Sequence, residues 1–412
     1  TEAIDMSEMF KTAAAFNQPL NNWNVSKVKT MESMFEGAVA FNQPLNNWDV
    51  SYVLNMQSMF QNANLFNQPL NDWDVSKVTN MSSMFSSTAS FNQPINQWNV
   101  SAVTTMANMF ASSLAFNQNV NTWNVTKVIT MQSMFSNAKM FNQPLNEWDV
   151  NSVVNMSSMF QSASAFNQPL NAWDVSAVAN TTSMFENAIL FNQPLSNWNV
   201  SSVTLMKSMF EGATIFNQNL NTWNVGVVTT MEEMFKNAPA FNEPLSNWNT
   251  GKVLNMKEMF SGASVFNQNI NSWNTSFVRT MEEMFKDARA YNQTMNSWNV
   301  ASVTTMKGTF QGATAFNGTM DNWNVRRVST MENMFSGATS FNQTINSWRV
   351  NGVTTMNYMF RNATAFNQSL NRWDLGTVTM RSFLDQATSY NHYLGEWNVS
   401  RVTGMRDMLD RT

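Results

Sequence analysis

Apolar positions along this chain alternate between two periods, and the alternation repeats every 25 residues. In "LNNWDVS", Trp48 and Val50 stand two apart with Asp49 between them and Leu45 ahead. Alternate residues of an extended segment share a face, so the phrase predicts a short β-strand with Trp and Val inward and Asp outward. In "VTTMEEMFKNAPAF", Val228, Met231, Met234, Phe235, Ala238 and Phe241 step mostly by three and four. That is helical spacing. The residue before the first Met is Thr or Asn in most copies (Thr30, Asn55, Asn80, Thr105, Thr230), with Asp5 at the start, and these are good helix caps. Thr230 with Glu233 and Thr280 with Glu283 fit the capping box. Gly or Asn followed by "FNQP" breaks the helix.

Both phrases recur to the end of the chain. All 16 Trp residues lie on one comb, from Trp23 to Trp373 in steps of 25, with Trp397 following after 24. Neither element buries its apolar face alone, and stacking the copies joins those faces into one core. The expected fold is an α/β repeat solenoid, a single domain over residues 1–412 with about 16 coils of about 25 residues. Each coil is a short parallel strand plus a short helix. Strand phrases centre on Trp23 to Trp397, and helical phrases run from Met6 to Met408. Strands pair about 4.8 Å apart and helices pack nearer 10 Å, so the expected rod curves or twists.

The phrase "FNQPLNNWDVSxVTNMxxMF" resembles the BspA-like surface-protein repeat of about 25 residues, a domain of unknown function found in mycoplasma-type lipoproteins and other microbial surface proteins. The L-x-x-W-x-V step is similar to the strand of leucine-rich repeats. The resemblance spans nearly the whole chain. It implies an extracellular or cell-surface solenoid with no enzymatic role, and it brings no catalytic residues. Toward the C-terminus "FNQP" becomes "FNQT", "FNGT" and "FNQS".

Composition narrows the chemistry. Only 12% of residues are charged and the net charge is −4, so no basic stripe stands ready for phosphates and nucleic acid is not an expected partner. No apolar run approaches the roughly 18 residues of a membrane span. The chain opens on Thr1, which reads as a processed or trimmed form. It contains no Cys and a single His, His392, which excludes thiolate and multi-His metal sites and leaves no basis for a cofactor.

Several rows remain as candidates. The Met pairs (Met31 and Met34, Met231 and Met234) and the Trp column read as core rather than as metal ligands or a sugar platform. The Asn after each aromatic (Asn17, Asn42, Asn67, Asn92, Asn117, Asn142) reads as a structural ladder whose amides bond the Asn above and below and satisfy turn backbone. The residue after Trp faces outward and is Asn or Asp except at Arg349. In that row Asp49 and Asp74, and Asp149 and Asp174, fall on adjacent coils and are weak candidates for a bridging cation. Asn24, Asn99, Asn124, Asn199, Asn274 and Asn398 carry N-glycosylation sequons there. Paired Thr residues such as Thr104–Thr105 raise ice binding, but their gaps and their capping role argue against it.

Function follows from the ends and the faces. The chain opens and closes in the same phrase, with Met6, Met9 and Phe10 matching Met405, Met408 and Leu409. Matching open ends fit either a homopolymer that stacks head to tail into a surface fibre, which is the leading reading, or a cut through a longer repeat array. The alternative is an adhesin whose sheet face grips a protein or glycan. Arg326, Arg327, Arg349, Arg361, Arg372 and Arg381 form the nearest thing to a basic patch.

Overall fold

The Gly and Asn residues that punctuate each Met phrase do not end a helix. They set a left-handed backbone. In the computed structural model, which describes residues 3–412, Ser33 has φ 54° and Gly37 has φ 70°. The same two positions are left-handed in coil after coil, as at Ser133 (φ 53°) with Asn137 (φ 57°), and Glu283 (φ 53°) with Asp287 (φ 56°). An α-helix needs each N–H to reach the carbonyl four residues back. A left-handed residue every fourth position prevents that.

The backbone bonds go elsewhere. Met31, Ser33, Phe35 and Gly37 donate their N–H groups to Asn55, Gln57, Met59 and Gln61 of the next coil, at 3.0, 2.8, 2.8 and 2.7 Å. The residues between them close tight turns within the coil, Met34 to Met31 at 3.2 Å, Glu36 to Ser33 at 3.1 Å and Ala38 to Phe35 at 3.0 Å. A non-Gly residue in the left-handed region costs about 1–2 kcal/mol. The inter-coil bonds offset that cost, so the conformation persists only between neighbours.

Among the described residues there is no helix, and the only β-pairing is a parallel bridge of one residue per coil. This corrects the expected α/β coil in both elements. The bridge passes through Thr30, Asn55, Asn80 and their equivalents, the residues expected to cap helices. Their capping chemistry survives as a local turn, with Gln57 N–H donating to Asn55 Oδ1 at 3.0 Å. The Trp phrase, expected to be the strand, carries no bridge. It is extended between turns, one of them closed by Trp48 N–H on the Leu45 carbonyl at 3.1 Å. With no helical layer, the argument for curvature loses its basis.

The described residues fall into two compact units, Thr1–Ser202 and Val203–Thr412. In the first, bridges run from Asp5 to Asn180; in the second, from Leu205 to Gly404. Each core is built of columns. Met31, Met34, Phe35 and Ala38 are wholly buried. Phe35 stacks on Phe41 at 4.1 Å in its own coil and on Phe60 at 5.6 Å in the next, while Trp48 lies parallel to Trp73 at 6.5 Å. These offset stacks add to area burial.

Polar residues enter the columns only with a bond. Thr88 stands in the Ala column and donates to the Phe60 carbonyl at 2.6 Å; Thr309 stands in the Met column and donates to Met306 at 2.9 Å. Tyr291 and Tyr390 depart from this, since their buried hydroxyls have no partner.

Candidate interaction surface

The outward rows are positioned by turns. Val28 N–H closes on the Val25 carbonyl at 2.9 Å and turns Ser26 and Lys27 toward solvent. Asn24 is exposed, and its Oδ1 accepts the N–H of Ser26 at 3.1 Å. Asn99, Asn124, Asn199, Asn274 and Asn398 are also exposed and accept in the same way from the residue two further on.

The four Asp residues of this row make the same turn. Asp49, Asp74, Asp149 and Asp174 accept from Ser51, Ser76, Asn151 and Ser176 at 3.1, 3.0, 3.2 and 3.0 Å. Hydrogen bonds from the side chain and backbone of Ser76 and Ser176 hold the carboxyls of Asp74 and Asp174 below the usual range. Their charge is engaged locally. Among the described residues no group of three or more His, Cys, Asp or Glu comes together.

The Asn after each aromatic sits where one coil meets the next. The Oδ1 of Asn17 accepts the backbone N–H of Asn42 at 3.0 Å and the Nε2 of Gln43 at 3.0 Å. Asn42, Asn67, Asn92 and Asn117 accept likewise from the coil that follows each, and Asn142 accepts from Asn167 and Gln168 at 3.0 Å each. The rungs run from side chain to backbone, so each amide oxygen satisfies an N–H that the turn leaves over.

At the chain ends, Met6 and Met408 are buried, Phe10 is half-buried, and Met9, Met405 and Leu409 are 52%, 38% and 48% exposed.

Two features escaped the sequence reading. On the face of the Met phrase in the second unit, Lys236 lies 3.1 Å from Glu233, 3.7 Å from Glu211 and 2.5 Å from Glu258. Lys207 joins the same face through Glu232 at 3.0 Å. The register of 25 puts Glu211, Lys236 and Glu258 side by side across three coils. The other feature is a set of shallow grooves along the Trp turns. One of about 780 Å³ is lined by Ser246, Asn269, Asn271, Ser272 and Asn274. Two more, of about 490 and 380 Å³, share Ser347 and Arg349. The sequence signal for these was Arg349 itself, which breaks the Asn/Asp row.

Stacked coils with an invariant core and variable outward rows define a repeat solenoid. The chain belongs to the family described as Mycoplasma protein of unknown function, DUF285, which matches residues 1–93, 66–171, 142–242, 216–322 and 306–412. No curated protein matches it. Among solved structures it is similar to a leucine-rich repeat protein of Eubacterium ventriosum, at 12% identity over 72% of this chain and 83% of that one, with a TM-score of 0.37. A leucine-rich repeat protein of Leptospira interrogans is 7% identical over 87% of this chain and 95% of its own, with a TM-score of 0.24. Toll of Drosophila, in its complex with Spatzle, is 7% identical with a TM-score of 0.29; the chain covers 85% of its own length there and spans about half, 53%, of that chain.

Proposed function

We propose that this chain is a non-enzymatic binding scaffold of a microbial surface, presenting its outward rows to a protein or glycan. The observation that supports the reading is a contrast between adjacent positions. The position of Val28 is Val in all 16 coils that carry a Trp and is buried at Val53, Val78, Val278 and Val328. The position just before it is Lys27, Tyr52, Lys77, Phe277 and Arg327 in the same coils, and Tyr52 and Phe277 are 56% and 60% exposed. A scaffold that holds its core constant while size and charge change one residue away is suited to recognition. The surface location rests on the resemblance of the repeat to microbial surface proteins. The test is to probe the immobilised protein with arrays of surface proteins and glycans. Saturable binding that Tyr52→Ser or Phe277→Ser weakens supports the reading; arrays left unbound, or chemically altered, count against it.

A second reading, head-to-tail stacking into a fibre, is favoured by the constant inter-coil register, which any further coil of the same phrase can join. Electron microscopy at high protein concentration tests it. Fibres support it, and monodisperse single particles end it.

A further inference from the structure

We infer that the groove lined by Arg326, Arg349 and Arg372 binds a linear polysaccharide carrying carboxylate or sulfate groups. The inference rests on the binding reading above and names its ligand. The three arginines are each 23 residues apart, while coils repeat at 25, so they step diagonally across three successive coils. Arg326 lies three residues after Trp323, Arg349 one after Trp348 and Arg372 one before Trp373. Arg326 and Arg372 stand on the turns that flank the Trp segment, and Arg349 on the extended residue after Trp348. All are exposed, and the two grooves they line, about 490 and 380 Å³, are joined at Ser347 and Arg349.

The charges of the groove are unequally matched. Asp321 already accepts the Ser347 hydroxyl at 2.8 Å, and Asp374 faces Arg401 at 3.7 Å. Outside the groove, Arg361 pairs with Asp385 at 3.3 Å, Arg406 with Asp407 at 3.2 Å and Arg411 with Asp410 at 3.6 Å. Among the described residues, no ion pair engages Arg326, Arg349 or Arg372. Arg349 also displaces the Asn or Asp that makes the turn after Trp in the other coils, giving up a local hydrogen bond to place a guanidinium there. Every Lys of the chain lies at or before Lys307, and every cation beyond it is Arg. A planar guanidinium grips carboxylate or sulfate with two parallel bonds, which an ammonium does not.

The rest of the lining selects the polymer. Asn322, Asn324 and Asn351 add amides to the lining, as a hydroxyl-rich chain requires, while Asn346 and Ser347 are already engaged by Asn371 and Asp321. An extended acidic peptide would seek a sheet edge or apolar pockets. Here the coil backbones already pair with each other, and Trp348 is 2% exposed.

The experiment measures binding of the full chain to immobilised dextran sulfate and polygalacturonate, with neutral dextran and poly-glutamate alongside. The variant Arg326→Gln/Arg349→Gln/Arg372→Gln is compared with Arg361→Gln/Arg406→Gln/Arg411→Gln, which removes equal charge elsewhere. Unchanged thermal melting of the exposed groove variant shows that it folds. The expected result is binding to one or both polyanionic sugars, lost at least about tenfold in the groove variant and retained in the control. Arg349→Asn, which restores the repeat residue, weakens binding while raising the melting temperature. No binding to either sugar, equal loss in the control variant, or equal binding to poly-glutamate overturns the inference. If the surface arrays yield a ligand that the groove variant still holds, the scaffold reading stands and this one falls.

Discussion

The indole Nε1 of Trp148 donates to the carbonyl oxygen of Val120, 28 residues earlier, at 2.9 Å. The bond repeats from coil to coil, as from Trp173 to Leu145 at 2.9 Å and from Trp298 to Ile270 at 3.1 Å. Each Trp fills its own coil and also satisfies a buried carbonyl of the one before. Trp148→Phe keeps an aromatic ring but leaves the Val120 carbonyl unpaired. It is expected to cost about 1–3 kcal/mol beyond the lost packing, read as a fall in the denaturant midpoint. A variant as stable as the parent would remove the bond from any account of the fold.

Tyr291 gives the opposite sign. Its ring stacks between Phe266 at 5.9 Å and Phe316 at 6.0 Å, but its buried hydroxyl finds no partner, and burial pushes its pKa far up. Tyr291→Phe is expected to stabilise the protein by about 1 kcal/mol or more, because it deletes an unsatisfied buried group. Calorimetry showing a lower melting temperature would contradict this.

Ser133→Gly separates the observed turns from the expected helix. Glycine inside a helix costs about 1 kcal/mol relative to alanine. At Ser133, with φ 53°, glycine instead relieves left-handed strain. The expected outcome is unchanged or raised stability in chemical denaturation, whereas a clear loss would argue for helix.

For Asn142→Ala, the acceptor of the Asn167 N–H and the Gln168 amide disappears together. The expected cost is about 1–3 kcal/mol. Asn142→Asp keeps the acceptor oxygen and is expected to cost less. Equal losses for the two variants would show that the amide oxygen is not what matters.

The Lys236 cluster sets a pH window. Burial alone would raise the Glu233 pKa, but the hydrogen bond and charge of Lys236 outweigh it and hold the carboxyl below its usual 4.5. Lys236 is raised above 10.5, its desolvation outweighed by bonds to Glu258 and Glu233. Glu233 therefore stabilises the fold above its unfolded pKa and loses that contribution as pH falls through the folded value. Lys236 contributes fully below 10.5 and loses its share as pH rises through its folded pKa. Melting temperature against pH is expected to fall on the acid side, below the unfolded carboxyl value of 4.5, and less steeply in Lys236→Met. Superimposable acid limbs for the two proteins would exclude the cluster as the cause.

The period, the core columns and the family were legible in the sequence because they depend on recurrence alone. Local structure was not. Steps of three and four from Met31 to Phe41 describe one face of a helix, but a string of tight turns produces the same steps. The deciding residues were Gly37, Asn62 and Asn137, whose tolerance of positive φ marks a left-handed position recurring at 25. They were read as a single stop signal. Recurrence made the Asn17 row and its bonds to turn backbone visible, but not that the amide its oxygen meets is that of Gln43 rather than of the next Asn. The Lys236 cluster was hidden because charges 22 and 25 residues apart become neighbours only through the stacking of coils.

The constant register has a consequence for how such chains change length. Within either unit, each coil presents the next with the same backbone donors and acceptors, so a duplicated stretch of 25 residues meets its neighbours on familiar terms. Even one residue short, the coil bridging Thr355 to Thr379 still pairs on both sides. Slippage between near-identical gene segments can therefore lengthen or shorten the array in whole steps, moving a surface feature nearer or farther without a new interface having to evolve.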